Sequence, residues 1–217
     1  MGCLRTIISP RAQRGRSIRR PAQLLYTAAY LLLLGCLSFH LYRTPVYTFD
    51  SLQYMGNAVL MEETNPIGIH QRVYSEINEK IPRIARENML GHEKGAPDDQ
   101  NKSLQERAAN PYHFAEFLPM FAIRPMYNIT LYFFAKTGLG LLRASIVISA
   151  LAHFLLGVLL FHWLTRYTTL LFALCLAIVT MISSPIMTLG RVNTSDGLAR
   201  IILEFERQQK PPLLQTC

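Results

Sequence analysis

A chain of 217 residues that is 50% hydrophobic and 17% charged has the average composition of a globular protein, so these totals alone do not separate a soluble domain from a membrane protein. The placement of the charges does, because the stretches 22–42, 144–165 and 167–190 contain no Asp, Glu, Lys or Arg. Each is long enough to cross a hydrocarbon core of about 30 Å, and a chain this short has too little remaining material to bury three such helices on every side.

The net charge of +8 does not indicate nucleic acid. Much of the excess sits in Arg5, Arg11, Arg14, Arg16, Arg19 and Arg20, ahead of the first apolar stretch and with no acid among them. That pattern keeps a basic tail over 1–21 on the cytoplasmic side and attracts anionic lipid headgroups. The apolar run is too long for a signal-peptide core and no small-residue cleavage site follows it, so 22–42 reads as a retained signal anchor.

The expected architecture is an all-α membrane protein in the cell (inner) membrane. Its three transmembrane helices lie over 22–42, 144–165 and 167–190, with a mostly helical extracytoplasmic loop over 43–143 and an extracytoplasmic tail over 191–217. The loop holds eleven acids and eleven bases and is close to neutral. Its first predicted element is a short helix over 49–63, with Leu52, Met55 and Val59 on one face and Asp50, Tyr54, Asn57 and Met61 on the other. A helix over 71–81 follows, then an exposed loop over 91–103 rich in Gly, Pro, Asp and Asn. The segment 126–136, too short to cross, predicts an interfacial helix with Tyr127, Tyr132, Phe133 and Phe134 near headgroup depth. A very short turn at Arg166-Tyr167 makes the last two stretches a helical hairpin.

The chemistry-bearing candidates are two acids. Asp50 stands just past the outer end of the first stretch with Tyr54 and Asn57 beside it, and Asp196 stands at a comparable height past the third. A carboxylate near the bilayer and open to the outer side suits a general base or a metal ligand. A solvated loop acid is an equal reading for Asp50, and a first-turn helix acid is the stronger one for Asp196.

The order of parts resembles the start of a GT-C-type integral membrane glycosyltransferase. The resemblance runs through the basic N-terminus, one span, Thr48-Phe49-Asp50-Ser51-Leu52-Gln53-Tyr54, a long outer loop, a tight two-span hairpin and Asn193-Thr194-Ser195-Asp196-Gly197-Leu198. It implies transfer of a sugar from a polyprenyl-phosphate donor on the outer face. Asp50 would activate the acceptor, Asp196 would assist or help bind a divalent metal, and Arg124 would meet a phosphate. Asp50 is followed by Ser51 where many members carry a second acid.

The resemblance covers nearly all of the chain but well under half of a complete enzyme. Past Leu198 the charged run 200–212 cannot insert where a fourth span would be expected. The expectation is therefore a truncated or frame-shifted remnant with little activity. A non-enzymatic membrane protein whose outer loop binds a partner or a lipid is the competing reading. A transporter is disfavoured by the absence of an inverted repeat and of a broken helix pair that would mark a midplane site. His70, His92 and His113 read as surface residues, and His153, deep in the second stretch, reads as a neutral residue hydrogen-bonded to a neighbouring helix. The four cysteines form no disulfide framework or metal-ligand spacing.

Overall fold

The computed structural model describes residues 10–92 and 97–192, with side chains described from 23 onward. All regular elements among the described residues are helices, and the single extended contact is an isolated parallel bridge between Val46 and Val192. The first helix is α1 (Pro10–Arg43). A cluster of shorter helices follows: α2 (Phe49–Leu60), α3 (Pro66–Lys80), α4 (Arg83–Met89), α5 (Asp98–Ala109), α6 (Pro111–Ala122) and α7 (Pro125–Phe134). A wide π-type turn over Ala135–Leu139 leads into α8 (Leu141–Tyr167), and the described chain ends with α9 (Leu170–Ile182) and α10 (Ser184–Arg191).

Two helices are long and apolar enough to cross a membrane, Gln23–Arg43 within α1 and the whole of α8. They pack against each other through small and polar contacts. Tyr30, Leu34, Ser38 and Leu41 form the buried stripe of α1, recurring every three to four residues. The Tyr30 hydroxyl donates to the Gly157 carbonyl at 2.9 Å, and its ring stacks on Phe161. Gly157 lets the helices approach: a Cβ there would sit 2.6 Å from a Leu34 methyl. One turn further along, Ser38 Oγ and His153 Nδ1 pair at 3.0 Å, so the deep histidine does hydrogen-bond to a neighbouring helix. The remaining surface of α1 leaves Leu24, Leu25, Leu32 and Phe39 exposed, an outward apolar face suited to lipid rather than water.

The expected uninterrupted third span over 167–190 is instead a broken pair. α9 and α10 are bent by 60° at Ser183. The cause is Pro185: it has no N–H to give the Met181 carbonyl, and its ring collides with that carbonyl in a continuous helix. With 13 residues, α9 alone reaches about 20 Å, short of a bilayer core. The pair nevertheless returns the chain to the end of α1. Val46 N–H donates to the Arg191 carbonyl at 2.9 Å and Arg191 Nε donates to the Thr44 carbonyl at 2.8 Å. Ser149 Oγ adds a bond to the Val192 carbonyl at 3.1 Å.

The loop between α1 and α8 is a packed helical unit with α2 at its centre. Nine consecutive residues of α2, Ser51 to Val59, are buried, so the two-faced reading of this helix fails on its polar side. Leu52, Met55 and Val59 meet Ile69, Val73 and Ile77 of α3, Phe114 and Leu118 of α6, and Leu131 of α7 in one core. Burying each such side chain contributes about 1.5–3 kcal/mol before the entropy of ordering is subtracted. Tyr127 belongs to this core rather than to an exposed interfacial face, whereas Phe133 on the same helix is exposed.

Sequence features that read as breaks prove to be starts. Asn65 and Asn110 each cap the helix that opens on the following proline, accepting from Ile67 N–H and Tyr112 N–H at 3.0 Å. The expected loop over 91–103 is helical from Asp98 onward: Pro97 fixes the entry, and Asp98 and Asp99 complement the positive end of the helix. α5 is pinned by Arg107, whose guanidinium lies over Phe117 at 3.4 Å and Phe49 at 4.9 Å. His70 is half-buried, stacked on Tyr74 and bonded through Nε2 to the Ala108 carbonyl, and so is not a surface residue.

The start of α8 is capped from outside its own chain segment. Leu141 N–H and Leu142 N–H both donate to the Glu76 carboxylate of α3, at 3.0 and 3.3 Å. Lys80 holds the same carboxylate at 2.6 Å. Gly140 permits the approach, because its φ of +78° is open to glycine and any Cβ would collide with Glu76 Oε1.

Glu62, at the end of α2, binds Lys136 and Arg72. Lys136 first and Arg72 second pull its carboxyl from the ordinary 4.5 down to about 2. A depressed carboxylate stabilises the fold above its unfolded pKa and loses that contribution as pH falls through the folded value. Acid titration of the detergent-solubilised protein by near-ultraviolet circular dichroism should therefore show the wild type losing more stability than Glu62→Gln between pH 4.5 and about 2. Parallel titrations of the two proteins over that window would count against the assignment.

Candidate functional site

The structure brings three of the sequence-predicted residues to one part of the helical unit between α1 and α8. Asp50 is exposed in the first turn of α2, where a negative side chain is favoured by the helix dipole. Tyr54 follows one turn later on the same side and is buried at 3% exposure. Arg124, at the entry to α7, donates from Nη1 to the Tyr54 hydroxyl at 2.9 Å, although the two are 70 residues apart in sequence. The Tyr54 ring is held edge-on by Phe121 and Tyr127, with centroids at 5.2 and 4.9 Å. An arginine fixed in this way cannot swing freely, and its charge stays close to the α2 N-terminal turn.

Asn57 has a different role. Its Nδ2 donates to the Gln53 carbonyl at 3.0 Å and to the Leu118 carbonyl at 2.9 Å, so both amide protons are engaged. Leu118 lies in the second half of α6, so the second of these bonds joins α2 to α6. This leaves no amide proton for a substrate. Asp196 lies outside the described residues.

Two residues escaped the sequence reading. Glu76 looked like one more charge on an amphipathic helix, and nothing local marks its partners, which are 65 and 66 residues away. Gln53 is fully buried, and neither its Oε1 nor its Nε2 has a hydrogen-bond partner among the described residues. An unsatisfied buried amide costs about 1–3 kcal/mol. A hint was available in the sequence: Gln53 sits between Leu52 and Met55 and can avoid the core only if one side of α2 faces water.

A concave feature lies where the helical unit over 43–143 meets the long helices. Tyr42 and Arg43 of α1, Tyr47, Glu79 and Lys80 of α3, and Arg143 of α8 surround a cleft of about 670 Å³. None of these was singled out from sequence.

The metal allowed by the resemblance was tested against the donor set. Among the described residues no three His, Cys, Asp or Glu side chains converge to hold an ion. Asp50 alone is too small a donor set for a divalent cation, which takes six or more oxygens when bound by protein alone. No step is assigned to a metal.

Comparisons with protein-family models, with curated proteins and with solved structures gave no match.

Replacing Asn57 by Ala should remove the bond between α2 and α6 and cost about 1 kcal/mol, read as a lowered thermal midpoint of the full chain in detergent. A change within about 0.5 kcal/mol, the range of ordinary surface substitutions, would show that this bond does not join α2 to α6.

Proposed function

We propose that the protein is integral to the membrane, with the 43–143 unit on the outer face, and that it resembles the N-terminal part of a lipid-linked sugar transferase of the GT-C type, with little activity of its own. In this reading Asp50 accepts a proton from the acceptor hydroxyl, while Arg124, steadied by Tyr54, attracts the phosphate of a polyprenyl-phosphate donor. The observation that carries it is the placement of Asp50. It is an exposed carboxylate in the first turn of a helix whose next nine residues are buried, and Tyr54, one turn further along, is bonded to Arg124. A base needs that combination of access and rigid mounting. The two apolar helices of spanning length support the membrane setting, and the basic residues ahead of Gln23 support the orientation.

A second reading has its own support. Met120, Ile123, Met126 and Phe133, on or beside α6 and α7, are 59–76% exposed, a large apolar content for a polar-side surface. It favours a non-enzymatic anchor whose outer unit docks on a partner or on the lipid surface.

The two readings separate in membranes carrying the full chain, supplied with a radiolabelled polyprenyl-phosphate hexose. The transferase reading expects the label to leave the lipid slowly. It also expects Asp50→Asn to slow that transfer by a factor on the order of 10² or more, the usual worth of a general base. Membrane insertion should be unchanged. No transfer by the wild type, or equal transfer by Asp50→Asn, leaves the anchor reading.

A further inference from the structure

The cleft at the junction of α1, α3 and α8 is lined by Arg43, Lys80 and Arg143 against one carboxylate, Glu79. Lys80 is already paired with Glu76. Arg43 and Arg143 are exposed, and neither has a carboxylate partner among the described residues. The cleft therefore carries uncompensated positive charge.

Its depth follows from the helices that frame it. Arg43 is the last residue of α1 and Arg143 the third of α8, so both stand at the same end of the two helices of spanning length. If those helices cross a bilayer, this end lies at the level of headgroup phosphates. The wall of the cleft continues from Arg143 to Leu142 and to Ile146, about 4.5 Å deeper along α8. Tyr42 and Tyr47 stand at the rim, in the position aromatic side chains favour at a membrane boundary. Positive charge above an apolar wall is complementary to an amphiphile with a phosphate at one end and acyl chain at the other.

We propose that this cleft binds an anionic phospholipid, its phosphate between the Arg43 and Arg143 guanidiniums and its chain along Ile146. The site is separate from Asp50, Tyr54 and Arg124. The proposal rests on the membrane setting of α1 and α8 but not on sugar transfer. The bound lipid joins α1 to α8 beside the point where α3 meets them, so it stabilises the seat of the outer unit as well as occupying it.

The test uses the full chain purified in nonionic detergent. Native mass spectrometry with equimolar phosphatidylglycerol and phosphatidylcholine reads the preference, and the thermal midpoint with each added lipid reads stabilisation. The wild type should retain phosphatidylglycerol over phosphatidylcholine and be stabilised by it. Arg43→Gln with Arg143→Gln should reduce that retention by about fivefold per arginine. Arg143→Lys should keep most of it, and Arg166→Gln, at the opposite end of α8, should keep all of it. Equal retention of the two lipids by the wild type overturns the proposal without recourse to any variant, as does undiminished retention by the double variant. Displacement of phosphatidylglycerol by millimolar inorganic phosphate also overturns it, in favour of a site for a soluble anion. Recovery of the protein in the soluble fraction after carbonate washing of membranes would remove the membrane setting itself. Membrane-resident protein with no lipid preference removes only this inference.

Discussion

A helix that begins at the edge of an apolar layer has its first N–H groups unpaired and no water to satisfy them. In this protein Leu141 and Leu142 are 4% and 2% exposed, and the Glu76 carboxylate, brought by α3, accepts from both of their backbone N–H groups. The same contact seats the 43–143 unit on the long helices. α3 carries Ile69, Val73 and Ile77 into the core around α2, and from the position next to Ile77 it presents Glu76 to α8. Gly140 must be glycine for the approach, and Lys80 must lie beside the carboxylate to balance it. Lys80 and Glu79 then line the cleft that Arg43 and Arg143 complete. Removing the cap would disturb the core, the junction and the cleft together.

The coarse fold was legible because it rests on one-dimensional patterns. Uncharged runs marked α1 and α8, and apolar spacing at 52, 55 and 59 marked α2. The breaks were misread where one residue type serves two purposes. Pro97 with Asp98 and Asp99 resembles loop composition and is also a helix start, and the choice depends on Arg107 finding Phe49 and Phe117 across the unit. Pro185 carried a clear signal, since a proline well inside an apolar run bends or breaks a helix, but hydropathy alone passes over it. Tyr127 and Phe133 show the same limit: aromatic content is visible in sequence, but which ring enters the core is decided by α2.

The candidate site was legible in part. Asp50 and Tyr54 are neighbours by helical spacing, but the Arg124 to Tyr54 bond spans 70 residues and has no local signature. Asn57 was grouped with them by the same spacing, and the structure assigns its protons to the α2 and α6 backbones. Asp50 keeps a position consistent with a base because the rest of its helix is buried and it is not. Between the long helices, Tyr30, Ser38 and His153 make polar contacts in an otherwise apolar interface, and these fix the α1–α8 register that sets Arg43 opposite Arg143.

The central claim is that the Glu76 cap couples the 43–143 unit to α8. Residue-resolved hydrogen exchange on the detergent-solubilised protein tests it most directly, comparing wild type with Glu76→Ala. The account predicts faster exchange at the Leu141 and Leu142 amides in the variant, together with loss of protection along α3. Unchanged protection at Leu141 and Leu142, with α3 equally stable in both proteins, would contradict it.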